Sequence, residues 1–156
     1  MLYRNMHDGT FKDVTYESGV GHTGWSLDVG SGDLNNDGQV DAVIGVLNEA
    51  PIILRSDGTK NHWLGIRLIG SRSNRDGLGA RVIVRDSSGR QQIFDVSTSG
   101  SYLSASDPRI VAGLGSANSV SNIEVHWPSG TTQIISKPEI DRYLIINERE
   151  AQNKSN

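Results

Sequence analysis

The chain has 156 residues, a length that suits one ordinary domain or one small domain with an appendage. Its formal net charge of −3 argues against a general nucleic-acid-binding protein, which would present a basic face. The absence of cysteine excludes disulfides and thiolate metal sites, and no apolar stretch approaches the roughly 18 residues of a membrane-spanning helix. The first five residues lack the apolar segment of a signal peptide, so we expect any export signal to lie outside this chain.

Strand-like runs recur along the sequence, separated by Asp-Gly and Ser-Gly pairs that favour tight turns. No window gives a helical period beyond about two turns. The sequence therefore predicts an all-β protein. In chain order, the predicted strands are residues 11–16, 25–29, 40–46, 52–55, 62–69, 80–85, 91–97, 109–112, 121–126, 132–136 and 142–147.

The most specific signal is a segment rich in aspartate and asparagine, residues 33–41. Ca²⁺ takes about six to eight oxygen ligands, which a tight loop can supply from alternate residues. Side-chain oxygens would come from the first, third and fifth positions, a backbone carbonyl from the seventh, and a closing carboxylate from the ninth. The segment therefore predicts a calcium site whose ligands are Asp33, Asn35, Asp37, Gln39 and Asp41.

Two other interpretations fit parts of this loop. An EF-hand needs a glutamate at position twelve and flanking helices, whereas Ile44 stands there and the residues after Asp41 favour a strand. A metal-free turn is the other interpretation, since Asp, Asn and Gly favour turns by themselves. Three carboxylates would then repel one another without compensation, which favours the calcium site. Mg²⁺ fits less well because it prefers to keep its water ligands.

The loop, with the segments 2–5 and 8–11 ahead of it, resembles an FG-GAP or VCBS propeller repeat. In that family the loop binds calcium between the strands of a blade, as in the α-subunit heads of integrins. The resemblance implies a propeller-blade-like module with a calcium loop.

From residue 61 onward the chain resembles the ASPIC/UnbV domain, which follows such repeats in proteins similar to cartilage acidic protein. The resemblance implies no enzymatic activity. It rests on the segments 61–64, 73–82, 100–104, 113–115 and 127–130.

Three parts of the chain are therefore predicted. Residues 1–57 form about one four-stranded blade, residues 58–147 form a β-sandwich-like module packed against it, and the polar residues 148–156 form a flexible tail. A lone blade leaves apolar faces and unpaired strand edges. We expect other protein chains to cover them, either in a homo-oligomer or filament or as the missing blades of a longer chain.

Weaker candidates remain elsewhere in the sequence. The polar segment 73–77 is either a second polar or metal site near Asn74–Asp76 or a turn that hydrogen-bonds its own backbone. Three tryptophans could stack on carbohydrate. Paired carboxylates could serve glycoside hydrolysis, but the only dense cluster of them is the metal loop itself.

These observations predict a calcium-stabilised, non-enzymatic module for adhesion or assembly, outside the cell or at its surface. A carbohydrate-binding module and an accessory domain of a hydrolase are the alternatives.

Overall fold

The computed structural model describes residues 1–22, 24–58, 60–100 and 102–149. Within these ranges the chain forms twelve strands and no helix, which confirms the all-β prediction. The strands are β1 (Tyr3–Asn5), β2 (Phe11–Asp13), β3 (Ser26–Gly32), β4 (Asp41–Val46), β5 (Ile52–Leu54), β6 (His62–Ile69), β7 (Arg81–Asp86), β8 (Gln91–Asp95), β9 (Ile110–Gly115), β10 (Val120–His126), β11 (Thr132–Ser136) and β12 (Tyr143–Asn147).

The amino-terminal part of the chain contains two separate sheets. Strands β1 and β2 form a hairpin, and β3, β4 and β5 form an antiparallel three-stranded sheet. The four strands expected in this part therefore lie in two sheets, with β2 paired to the additional strand β1. The hairpin stays apart because Val14 and Thr15 turn back to bind the backbone of Leu2 instead of leading into the next sheet.

The carboxyl-terminal part forms two facing sheets, as the sandwich-like prediction requires. One is antiparallel, in the order β11-β10-β7-β8. The other has the order β12-β6-β9, with β12 parallel to β6. Alternate residues of these strands turn inward, and the core between the sheets contains Leu64, Ile66, Leu68, Ala80, Val82, Val84, Val96, Ile110, Ala112, Leu114, Val120, Ile123, Val125, Trp127 and Ile146.

The two parts differ sharply in how much apolar surface they bury. In residues 1–58 as described, Val14 and Val46 are the only buried hydrophobic side chains. Among the described residues, thirteen of the eighteen exposed large hydrophobic side chains lie in this same part. They are Met1, Leu2, Tyr3, Met6, Phe11, Tyr16, Trp25, Leu27, Val29, Leu34, Val40, Leu47 and Ile53.

Residues 104–107, which precede β9, run along the free edge of β3. The N–H of Asp107 donates to the carbonyl of Ser31 at 2.9 Å, and the hydroxyl of Ser104 donates to the carbonyl of Val29 at 2.8 Å. One edge of the β3-β4-β5 sheet is thus occupied by the second part of the chain. The opposite edge, β5, pairs with no further strand of the described residues.

Glu148, the first residue of the predicted flexible tail, is buried at 6% exposure. The prediction placed the start of the tail too early, because this carboxylate accepts hydrogen bonds from several groups of the sandwich. Residues 150–156, the remainder of that segment, lie outside the described residues.

Candidate metal centre

The loop 33–40 joins β3 to β4, and the antiparallel pairing of these strands sets its geometry. Gly32 is opposite Asp41 in the ladder, so the two ends of the loop meet at its base. Asp33 and Asp41 are each only 1% exposed there. Asn36 and Gly38 adopt positive φ angles of 60° and 82°, which close the loop tightly. The sequence signal for a tight turn is thereby confirmed.

The carboxylate of Asp33 organises the inside of the loop. One oxygen accepts the N–H of Asp37 at 3.1 Å, and the other accepts the N–H of Gly38 at 2.8 Å. That second oxygen also accepts the hydroxyl of Tyr143 at 2.8 Å, from β12 of the sandwich. Burial raises the pKa of Asp33, but these hydrogen bonds outweigh it and hold the pKa below its ordinary value.

Tyr143 is a donor of fixed protonation state. Burial, followed by the hydrogen bond to Asp33, raises the pKa of this phenol above its ordinary value. The hydroxyl therefore keeps its proton at neutral pH and donates it to a charged acceptor, an arrangement stronger than a neutral hydrogen bond.

Asp41 closes the base of the loop. Its two oxygens accept the N–H groups of Leu34 at 2.9 Å and Ser56 at 2.8 Å. The first bond joins the two ends of the loop, and the second joins the loop to the segment that follows β5. This carboxylate therefore holds the start of β4 in place from both sides.

Of the remaining predicted ligands, Asn35 and Asp37 lie at the exposed rim and Gln39 is half-buried. Asp37 accepts the N–H of Gln39 at 2.9 Å with one oxygen and the amide of Asn35 at 2.7 Å with the other. The side chains of Asn35 and Asp37 are therefore in direct contact. Asp33 reaches the pair only through the backbone N–H of Asp37.

The predicted ligands offer the oxygen atoms that Ca²⁺ prefers, but their carboxylates already accept hydrogen bonds from the loop and from Ser56 and Tyr143. None of the nine ion pairs found among the described residues includes Asp33, Asp37 or Asp41. Asp37 and Asp41 each accept two hydrogen bonds, whereas a carboxylate can accept about four. Among the same residues, no three His, Cys, Asp or Glu side chains are gathered closely enough to hold a metal ion between them.

Arg109, just before β9, clamps the outer side of the loop. Its guanidinium donates to the carbonyl of Asp33 and to the side-chain oxygen of Asn36, both at 2.6 Å. It also donates to Asp107 at 2.6 Å, and it lies 4.7 Å from the centre of the Tyr143 ring. The hydrogen bond and charge of Asp107 raise the pKa of Arg109 further above its ordinary value. A permanent cation therefore lies against the loop.

Trp63 on β6 supports the loop from below. Its indole lies so close to Gly38 that a β-carbon added there would meet the ring at 2.0 Å. The ring also packs edge-on against Tyr143, with 5.4 Å between centroids. Trp63, Arg109 and Tyr143 were all missed as site residues, because they lie far along the chain and no spacing links them to the loop.

The other sequence candidates have simpler roles. The side chain of Asn74 accepts the N–H of Asp76 at 2.9 Å, which is the turn interpretation of that segment. Trp127 is buried in the core at 3% exposure, and Trp63 is covered by the loop. Trp25, at 81% exposure, is the tryptophan whose ring is free.

Comparison with known proteins gives two matches that together span most of the chain. The family model described as ASPIC and UnbV matches residues 70–153. The model of an FG-GAP-like repeat matches residues 1–44, which include the whole candidate loop. No curated protein matches the chain.

Gly38→Ala tests the packing of the loop on Trp63. The residue has φ +82°, and the new methyl group would collide with the indole. We expect a loss of about 2–4 kcal/mol in the free energy of unfolding, the sum of backbone strain and overpacking. Urea denaturation measures it.

Gly89→Ala is the matched control, because Gly89 has φ +87° and no atom within 4 Å of the added carbon. It carries the backbone strain alone, about 1–2 kcal/mol. Equal losses in the two variants would contradict the contact between the loop and Trp63.

Proposed function

Because the chain belongs to the ASPIC and UnbV family and carries an FG-GAP-like repeat ahead of that domain, we propose that it is a calcium-stabilised structural or adhesion module. Domains of both kinds are typical of extracellular and surface proteins. The observation that carries the proposal is the concentration of exposed apolar side chains in residues 1–58, called here the FG-GAP-like part because they include the matched repeat.

That surface is a docking surface for other β-modules. Phe11, Trp25 and Ile53 are 65%, 81% and 64% exposed, and they come from three different segments. Exposed apolar side chains that form a contiguous patch mark sites of protein association, and the proposal is that these side chains form one. The natural partner is a further blade of the same type, whether it belongs to the same polypeptide or to another copy of this chain.

The edge of β5 adds a means of directed assembly. Strand β5 pairs only with β4 among the described strands, so the backbone groups on its outer edge pair with no other described strand. Its middle residue, Ile53, is exposed. An unpaired edge accepts an incoming strand through main-chain hydrogen bonds. The other side of the sheet is less available, because residues 104–107 run along β3.

Calcium is proposed as the ion that stabilises the loop. Three carboxylates lie within nine residues without an ion-pair partner, and two of them are buried. A divalent cation bound between these side chains would offset the repulsion of their like charges. Asp33, Asn35, Asp37 and Asp41 would supply side-chain oxygens, and Gln39 its backbone carbonyl.

Hydrogen bonds hold two of the loop carboxylates in place. Asp33 is oriented by Tyr143 and Gly38, and Asp41 by Leu34 and Ser56, so both carboxylates are held within the loop, and the ligands would converge further when the ion binds. Extracellular calcium, at millimolar levels, fills even a weak site with a dissociation constant of about 10⁻⁴ M. The proposed role is structural and not enzymatic, since the carboxylates of the loop accept the hydrogen bonds that hold it.

A carbohydrate-binding role is the second candidate, favoured by the exposed ring of Trp25. Sugars stack on aromatic faces of this kind. Fluorescence quenching by a sugar, present in the wild type and absent in Trp25→Ala, would favour this role over assembly.

Calcium should stabilise the wild-type chain against urea. For a site of about 10⁻⁴ M, about 1 mM Ca²⁺ adds about 1.4 kcal/mol to the free energy of unfolding relative to a chelator. Asp37→Asn should lose most of this increment, because it removes a negative charge from the rim of the loop. Mg²⁺ at the same concentration should give a smaller effect.

Asp57→Asn is the matched control, since Asp57 is close in sequence but 93% exposed and outside the loop. It should keep the full calcium increment. A wild-type chain whose unfolding is the same in calcium and in chelator would refute the metal proposal while leaving the assembly proposal standing.

Self-association should depend on the FG-GAP-like part. Ile53→Lys places a charge at the open edge of β5 and should weaken any concentration-dependent association seen by sedimentation, by about tenfold or more. Ile93→Lys is the control, because Ile93 is similarly exposed, at 55%, on the outer face of the sandwich. Equal effects of the two substitutions, or a wild type that stays monomeric at all concentrations, would contradict self-assembly through this edge.

A further inference from the structure

The turn that joins β6 to β7 presents three consecutive backbone N–H groups to a single atom. The N–H groups of Ser71, Arg72 and Ser73 each donate to the same carboxylate oxygen of Glu148, all at 2.8 Å. Successive N–H groups that converge in this way form a concave anion-binding nest. The nest is made of main chain, so its shape is fixed by the turn and not by side-chain rotamers.

Two hydroxyl groups complete the cradle around the other carboxylate oxygen. Ser73 donates to it at 2.9 Å, and Ser129, from the turn between β10 and β11, donates at 2.6 Å. The carboxylate thus has five donors and is nearly inaccessible to water. None of the nine ion pairs among the described residues includes Glu148, so neutral dipoles alone hold its charge.

The cradle favours the charged form of Glu148 over its protonated form. Burial raises the pKa of Glu148, but the hydroxyl of Ser129 and the N–H groups of Ser73, Arg72 and Ser71 reverse this and hold the pKa well below its ordinary value. All five groups donate, so a protonated carboxyl would have to give up at least one of them. The cradle is therefore selective for an anion.

We propose that the backbone of residues 71–73, with the hydroxyls of Ser73 and Ser129, is an oxyanion-binding site that the chain fills with its own Glu148. The ligand class is a small carboxylate or another planar oxyanion. With Glu148 in place, the site acts as a latch on the carboxyl-terminal strand.

The position of Glu148 explains how its carboxylate would hold the carboxyl-terminal strand in place. It follows directly after β12, an edge strand that pairs only with β6 among the described strands. The N–H of Glu148 donates to the carbonyl of Ile69 at 2.8 Å, which continues the β6-β12 ladder into the cradle. Release of the carboxylate would therefore loosen β12 from its carboxyl end.

The same turn was a candidate for a second metal site near Asn74–Asp76, and its geometry points to the opposite charge. The side-chain oxygen of Asn74 accepts the N–H of Asp76, and the backbone carbonyl of Asn74 accepts the N–H of Gly77. Acceptor groups are therefore consumed inside the turn, whereas its N–H groups at residues 71–73 point outward to an anion. The turn binds negative charge.

Chemical rescue of Glu148→Ala tests the site in the whole 156-residue chain. The variant empties the cradle and should melt about 5–10 °C below the wild type. Formate or acetate should restore the lost stability in a saturable way, whereas chloride at the same ionic strength should not. Glu49→Ala, which removes an exposed glutamate, should melt like the wild type and gain nothing from formate.

Ser129→Ala separates the cradle from a general salt effect. In the Glu148→Ala background it removes the 2.6 Å donor, so half-maximal rescue should need about tenfold more formate. Hydrogen exchange provides the second readout, since the amides of β12 should exchange faster in Glu148→Ala and slow again with formate.

The proposal is overturned if Glu148→Ala melts like the wild type, or if formate and chloride act equally on it. Should the variant fail to fold, its refolding yield from urea is compared in formate and in chloride. A higher yield in formate supports the site, and equal yields overturn it.

Discussion

The hydroxyl of Tyr143 and the N–H of Gly38 share one oxygen of the Asp33 carboxylate, and this junction joins the two parts of the molecule. Asp33 begins the loop of the FG-GAP-like repeat, while Tyr143 begins the last strand of the sandwich. Arg109 reinforces the junction by donating to the carbonyl of Asp33. A buried carboxylate is costly without donors, so both the shape of the loop and its place on the sandwich depend on these partners.

The two parts stabilise themselves in different ways. The sandwich has a continuous apolar core between two sheets and can bury its own hydrophobic side chains. The FG-GAP-like part buries very few, and polar contacts hold it: backbone N–H groups on Asp33 and Asp41, and residues 104–107 along β3. Its remaining apolar surface is what the proposed assembly would cover. The loop thus lies between a part with a continuous apolar core and a part that buries few apolar side chains.

Much of the fold could be predicted from the sequence because strand alternation is local. Each of the eleven predicted strands corresponds to an observed one, and only the short strand Tyr3–Asn5 was missed. The loop residues could be recognised because their spacing is also local. Tyr143 lies 110 residues from Asp33, and Arg109 lies 73 residues from Asn36, so no local pattern could connect them. Glu148 was assigned to a polar tail for the same reason: its donors come from residues 71–73 and 129.

Through the Asp33 carboxylate the loop and the sandwich form one cooperative unit, so calcium bound at the loop, as proposed, would stabilise both. Hydrogen exchange with and without calcium, in the wild type and in Tyr143→Phe, tests this most directly. In the wild type, calcium should slow exchange in the loop and also in β6 and β12. In Tyr143→Phe, the slowing should be confined to β3, β4 and the loop. Wild-type protection that never extends into β6 and β12 would contradict the account.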